Sequence, residues 1–127
     1  MSNSSLFQRV LVVEDEALLR WSIVETVERD GHYVTTADSS HAALAAMNAA
    51  NKPFDVVLVS HPLPDSADFA VLAHCQRAVP LTAVVCMPVY DDREEITRAR
   101  KLGACGILKK PFDLNALHRA VFDAAGV

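Results

Sequence analysis

Short apolar runs alternate along this chain with longer segments whose apolar residues recur at helical spacing, and this alternation limits the fold to few solutions. The first run, RVLVV, is apolar and β-branched, as expected for a strand that is covered on both faces. Strands that are joined through helices pair in parallel by right-handed crossovers. The pattern therefore predicts a three-layer αβα domain of the α/β class, with a five-stranded parallel sheet between helices. The predicted strands are Arg9–Val13, Tyr33–Ala37, Asp55–Val59, Thr82–Met87 and Gly106–Lys109.

Five helices are predicted from apolar spacing and from capping residues. In the first, Leu19, Ile23 and Val27 share one face, and Gly31 is placed to end the helix. The last combines an acidic N-cap with a hydrophobic staple. The first three predicted helices are Ala17–Arg29, residues 39–50 with Asp38 or a serine as N-cap, and Phe69–Arg77. The fourth begins at the capping pattern of Asp91 and Glu94, runs to Leu102 and is ended by Gly103. The fifth begins at Asp113, with Phe112 and Leu117 as the hydrophobic staple.

The composition is that of one globular domain and argues against several classes of function. The 127 residues, 51% hydrophobic and 22% charged, suffice for a single core, so we expect one domain over residues 1–127. The net charge of −4 argues against nucleic acid as a partner, because phosphate backbones require a concentrated basic surface. No apolar run approaches the ~20 residues of a membrane span and no leader pattern opens the chain, so we expect a cytoplasmic protein without a membrane partner. Three cysteines without a CxxC spacing predict reduced thiols.

Polar residues follow the predicted strands at their carboxyl ends, where α/β folds hold ligands. Glu14, Asp15 and Glu16 follow the first strand, where a nucleotide-binding domain would place glycines. Carboxylates repel phosphate and attract a hard cation such as Mg²⁺, although acidic residues here also suit the N-terminus of a helix. Lys110 precedes Pro111 after the fifth strand, so it either reaches an anion across the sheet end or is a solvated surface lysine.

Three segments resemble the CheY-like receiver domain of two-component response regulators over nearly the whole chain. They are VLVVEDEALLR, FDVVLV followed by LPD, and KLGACGILKKPF. The resemblance implies the flavodoxin-like strand order 2-1-3-4-5 and a role in bacterial-type phosphorelay signalling, without enzymatic activity. It also implies a sensor histidine kinase, a phosphotransfer protein or another regulator as partner. No linker follows the last predicted helix, so we expect a stand-alone receiver without an output domain.

The position of the phosphoacceptor departs from the family and is degenerate. In the family, two acids after the first strand and an aspartate ending the third bind Mg²⁺, and that aspartate accepts a phosphoryl group. Glu14 and Asp15 match the two acids, but Ser60 stands at the acceptor position. A serine hydroxyl needs a neighbouring base, and His61 is not expected to be that base because adjacent strand residues point to opposite faces. We therefore expect no required cofactor, and at most weak Mg²⁺ binding by the two acids.

The switch that follows phosphorylation in the family is also altered. A threonine or serine ends the family's fourth strand and an aromatic residue lies in its fifth, whereas Pro88 and Ile107 occupy these positions here. Pro88 lacks a hydroxyl and a backbone N–H, and Ile107 lacks a ring. The phosphate-binding lysine is retained as Lys110, and Pro111 matches the family's cis-proline.

These departures favour an atypical pseudo-receiver that acts by protein–protein docking without phosphorylation. The docking face implied by the resemblance includes the fourth helix, where Glu94 and Arg98 are spaced for an i,i+4 ion pair. One alternative is a receiver that is still phosphorylated, or responds to phosphoryl donors, through Ser60 or another residue. A second is a hydrolase with a Ser60 nucleophile, but LVSHP lacks the glycines of a G-x-S-x-G elbow.

Overall fold

The computed structural model describes residues 7–126, and its elements follow the predicted alternation of strands and helices. All strand pairs are parallel, and they form one sheet with the order 2-1-3-4-5 that the resemblance implies. The elements are β1 (Arg9–Val13), α1 (Ala17–Arg29), β2 (Tyr33–Ala37), α2 (Ser40–Ala49), β3 (Val56–His61), α3 (Ala70–Ala78), β4 (Ala83–Pro88), α4 (Arg93–Lys101), β5 (Gly106–Ile107) and α5 (Leu114–Ala124).

The sheet carries a separate apolar core on each face. Successive residues of a strand point to opposite faces, so Leu11 and Val13 of β1 pack towards α2, α3 and α4. Val10 and Val12 pack instead against α1 and α5. This two-sided burial explains why the central strands are apolar throughout rather than alternating with polar residues.

Local signals in the sequence set several helix ends. The Ser39 hydroxyl accepts a hydrogen bond from the backbone N–H of the third residue after it, at 3.0 Å, and thereby caps α2. Asp113 caps α5 in the same way, at 2.7 Å. Gly31 and Gly103 follow α1 and α4 with φ angles of +95° and +105°, which favour glycine.

The ends of several elements differ from the prediction by one or two residues. β3 continues through Ser60 and His61, because these residues pair with Met87 and Pro88 of β4. The fifth strand is shorter than predicted and ends at Ile107. Pairing with a neighbouring strand therefore decides where these strands end.

Two predictions about α4 were wrong. Its N-cap is Asp92 rather than Asp91, since Asp92 Oδ1 accepts hydrogen bonds from two backbone N–H groups of the first turn. Arg98 approaches Glu95 at 3.9 Å rather than the predicted partner Glu94. Within residues 7–126, no helix combines the length and the apolar character needed to cross a bilayer.

Candidate functional site

The pairing of β1 with β3 brings Glu14 and Ser60 together. Val13 pairs with Val59, so the next residue along each strand lies at the same carboxyl edge of the sheet. Both side chains are buried, Glu14 with 0% and Ser60 with 2% of its surface exposed. The Ser60 hydroxyl donates a hydrogen bond to Glu14 Oε1. The acceptor position therefore holds a neutral hydroxyl whose proton is directed at a carboxylate.

Lys110 contacts the same carboxylate from the segment after β5. Its Nζ lies 2.6 Å from Glu14 Oε1, and its side chain is only 15% exposed. The Lys110 backbone N–H donates to the Pro88 carbonyl at 3.0 Å, which holds this segment beside the end of β4. The peptide bond between Lys110 and Pro111 is cis. Because the Lys110 side chain is mostly shielded from solvent and its ammonium is paired, Lys110 is not the solvated surface lysine of the alternative interpretation.

The remaining contacts of Glu14 leave neither of its carboxylate oxygens free. Oε2 accepts a hydrogen bond from the Glu16 backbone N–H at 2.9 Å, and the Arg20 guanidinium donates to the Glu14 carbonyl at 2.8 Å. Burial raises the pKa of the Glu14 carboxyl, but hydrogen bonds from Lys110 and Ser60 outweigh it and hold the pKa below the ordinary 4.5. Glu14 is thus an ionised carboxylate compensated by protein groups.

A tightly held divalent cation does not fit this arrangement. Mg²⁺ prefers several oxygen ligands in a near-octahedral shell. At Glu14 it would compete with the Lys110 ammonium, and β3 supplies a hydroxyl instead of a second buried carboxylate. Asp15, the other predicted ligand, is exposed. Across the described part of the chain, no three His, Cys, Asp or Glu side chains are grouped as metal ligands.

His61 follows Ser60 in sequence, but its side chain lies on the other face of the sheet. Its ring stacks on Phe69 with centroids 3.9 Å apart and planes inclined by 8°. The Arg98 guanidinium carbon lies 5.5 Å from the centroid of the same Phe69 ring. Burial lowers the pKa of His61 below its ordinary value of 6.5. His61 is therefore not the base for Ser60, as predicted from strand geometry. The Ser60 hydroxyl donates its hydrogen bond to Glu14 instead, a contact that was not predicted from the sequence.

The positions of the family's switch residues hold groups with structural roles. Pro88 ends β4, and its carbonyl accepts the Lys110 N–H. Ile107 pairs with Cys86 and packs against the apolar core on the α2–α4 face. On that face, the cavity lined by His61, Phe69 and Cys86 has a volume of about 10 Å³, which is at the lower limit for one water molecule.

Asp65 has a role that was not predicted from the sequence. Its two carboxylate oxygens accept hydrogen bonds from the backbone N–H groups of Ser40 and His41, each at 3.0 Å. These bonds lower the pKa of Asp65 to about 2. The contact ties the loop after β3 to the N-terminus of α2. Asp65 was recognised as part of the LPD segment, but its hydrogen-bond partners lie about 25 residues earlier in the chain, so no local sequence pattern predicts the contact.

The fold and the carboxylate–lysine contact at the sheet edge define a receiver-type signalling domain. Residues 10–122 match the response regulator receiver domain, and the chain belongs to that family. Domains of this family are parts of two-component systems, where they interact with histidine kinases and other regulators. They are generally signalling domains rather than enzymes.

Known relatives include longer regulators and single receiver domains. The chain is 28% identical over 121 residues to the transcriptional regulatory protein PdtaR of Mycobacterium tuberculosis, covering 94% of this chain and 58% of PdtaR. It is 30% identical over 106 residues to the DNA-binding transcriptional regulator NtrC of Salmonella typhimurium, covering 84% of this chain and 22% of NtrC. A response regulator receiver domain protein of Clostridium thermocellum superimposes with a TM-score of 0.85 at 28% identity, covering 93% of this chain and 94% of that one.

Proposed function

We propose that this receiver domain is a pseudo-receiver that transmits signals by docking to proteins without aspartyl phosphorylation. The observation that carries the proposal is the Ser60 hydroxyl, which stands at the acceptor position and donates its proton to Glu14. An aspartate there would be an ionised nucleophile at neutral pH. Serine supplies no negative charge, so a metal ion loses a carboxylate ligand and a phosphoryl donor meets a weaker nucleophile.

The ion pair of Lys110 with Glu14 supports the same conclusion. In the family, the corresponding lysine binds phosphoryl oxygens, whereas here its ammonium lies on a buried carboxylate at 2.6 Å. Lys110, Ser60 and the Glu16 backbone N–H already occupy both carboxylate oxygens of Glu14, which favours a site that acts as a fixed part of the scaffold. We propose that no cofactor is required and that Glu14 and Asp15 bind Mg²⁺ weakly at most.

The proposed partners are a sensor histidine kinase, a phosphotransfer protein or another regulator, in the cytoplasm and without nucleic acid or membrane. The proposed docking face includes α4, which is mostly exposed and carries acidic residues in its first turn and basic residues in its last. This distribution also stabilises the helix through its dipole. Tyr90, which is 69% exposed, lies in the loop that leads into α4 and adds an aromatic side chain to this face.

The proposal is tested by following backbone amides by NMR during addition of Mg²⁺ and then of beryllofluoride, a mimic of the phosphoryl group. We expect no saturable shifts at Glu14, Ser60 or Lys110. The Ser60→Asp variant is the positive control, since it restores the carboxylate that the mimic needs. Saturable shifts in the wild-type protein that spread from Ser60 into α4 and β5 would contradict the proposal.

A second candidate function is a receiver that is phosphorylated on Ser60. The contact between the Ser60 hydroxyl and the ionised Glu14 carboxylate favours it, because a nucleophilic serine needs an adjacent base. Intact-protein mass spectrometry after incubation with acetyl phosphate tests this directly. A phosphoryl group that resists hydroxylamine and disappears in Ser60→Ala would establish it. A hydroxylamine-labile group that persists in Ser60→Ala would point to a carboxylate instead.

A further inference from the structure

A concave site lies at the opposite end of the sheet from Ser60, where β1 and β2 begin and α2 ends. Its volume is about 430 Å³. Pockets that bind small molecules have volumes of about 300–1,000 Å³, so a compact ligand fits. Nothing in the proposed signalling role involves this site. The residues that line it include Arg9, Tyr33, Thr35, Asn51, Lys52 and Phe54.

The lining of this cavity is cationic, although the chain has a net charge of −4. Arg9 and Lys52 are the charged residues that line it, and no aspartate or glutamate is among the lining residues. Within residues 7–126, neither of the two cations has an ion-pair partner. The neighbouring Asp55 carboxylate accepts a hydrogen bond from the backbone N–H of Arg9 at 2.7 Å, not from its guanidinium. The cavity therefore has two cationic lining residues and no acidic one to oppose them.

The Arg9 guanidinium is held in place but is incompletely hydrogen-bonded. Its Nη2 donates to the Lys52 carbonyl at 3.2 Å, and its central carbon lies 5.4 Å from the Phe54 ring centroid. Its Nε is shielded and has no hydrogen-bond partner. A shielded donor without an acceptor is unfavourable. A small rotation towards an anion would provide two parallel N–H donors, the geometry that matches phosphate or carboxylate.

The cavity also offers aromatic and neutral polar groups beside these cations. Tyr33 lies on the edge strand β2 and is 72% exposed, so one side of its ring is available for stacking. Thr35 and Asn51 supply a hydroxyl and an amide that can both donate and accept hydrogen bonds. We infer that this cavity binds an aromatic organic phosphate of mononucleotide size, with its phosphate on Arg9 and Lys52 and its ring against Tyr33.

The inference is tested by titrating the full chain with AMP and following the backbone amides of Thr35, Asn51 and Lys52 by NMR. Adenosine and inorganic phosphate, the two parts of AMP, are titrated separately to measure the binding of the ring and of the phosphate. We expect saturable shifts with AMP, and weaker binding of either fragment. Lys52→Gln should weaken AMP binding about tenfold, because it removes a charged hydrogen bond to phosphate. Tyr33→Ala should weaken the binding of AMP but not that of phosphate.

Arg119→Gln is the matched control, because it removes an exposed positive charge from α5, away from the cavity. It should bind AMP as the wild-type protein does. Arg9→Gln should also lose affinity, but Arg9 packs on Phe54, so the exposed Lys52 is the cleaner test. Absence of saturable shifts at millimolar AMP, or equal affinity in Lys52→Gln and the wild type, would overturn the inference. Equal affinity for phosphate and AMP would overturn the claim that the ring of the ligand lies against Tyr33.

Discussion

Lys110 Nζ lies 2.6 Å from Glu14 Oε1, so the lysine and the acid at the carboxyl edge of the sheet neutralise each other. Glu14 is fully buried and Lys110 nearly so, and the Ser60 hydroxyl completes the set. Placing a neutral residue at the acceptor position leaves one buried carboxylate for one buried ammonium. The charge balance of the site therefore needs neither a metal ion nor a phosphoryl group.

Lys110→Met is expected to destabilise the protein by roughly 3 kcal/mol, because removal of one partner leaves the other as an uncompensated buried charge. Urea unfolding at neutral pH measures this loss. Lys109→Met is the matched control, since Lys109 pairs with Asp91 on the surface, where solvent screens the ion pair and its loss should cost little. Equal losses in the two variants would contradict a buried ion pair at Glu14.

Ser60→Asp is expected to convert the site into one that binds Mg²⁺. A second carboxylate beside Glu14 adds a hard oxygen ligand, and it destabilises the metal-free protein through like-charge repulsion. Thermal unfolding with and without Mg²⁺ measures both effects. A Mg²⁺ concentration tenfold above the dissociation constant should add about 1.4 kcal/mol to the free energy of unfolding. Ser60→Asn, which has the same shape without the charge, should show no response to Mg²⁺. A response in Ser60→Asn would mean that Glu14 and Asp15 suffice.

Asp65→Asn is expected to reduce the free energy of unfolding at neutral pH by at most about 1 kcal/mol, because it removes a negative charge and one of the two acceptor oxygens at the N-terminus of α2. Because the folded-state pKa is lowered from 3.8 to about 2, this contribution is complete above pH 3.8 and disappears as the pH falls towards 2. The wild type and the variant should therefore converge in acid. Asp68→Asn, in the same loop but outside the contacts to Ser40 and His41, is the control and should keep the free energy of unfolding of the wild type at neutral pH.

The stability of the protein is expected to fall as the pH drops through 6.5, because the folded state holds His61 neutral. A histidine with a lowered folded-state pKa binds fewer protons in the folded than in the unfolded state, so stability rises with pH in this window. His61→Phe keeps a ring stacked on Phe69 and should flatten the dependence. His32, whose pKa is also lowered by burial, leaves a residual slope. An unchanged slope in His61→Phe would contradict the assignment.

The sequence best predicts those helices and strands whose boundaries are set by residues close to them in the sequence. β1, β2 and α1 agree with the prediction residue by residue, because apolar runs, helical spacing and Gly31 are local signals. The end of β3 was not predictable in this way. Ser60 and His61 are polar, and they are strand residues only because β4 pairs with them.

The fold class and the residues at the carboxyl edge of the sheet could be predicted from local features, namely the strand and helix periodicity and the polar residues that follow each strand. Glu14, Ser60 and Lys110 could all be named from the sequence. Their contacts depend on the folded chain: Lys110, after β5, pairs with Glu14, after β1, and Ser60 of β3 donates a hydrogen bond to the same carboxylate. Such contacts join groups that are distant in the chain. Each charge requires a partner only when it is buried, and it is buried only in the folded protein.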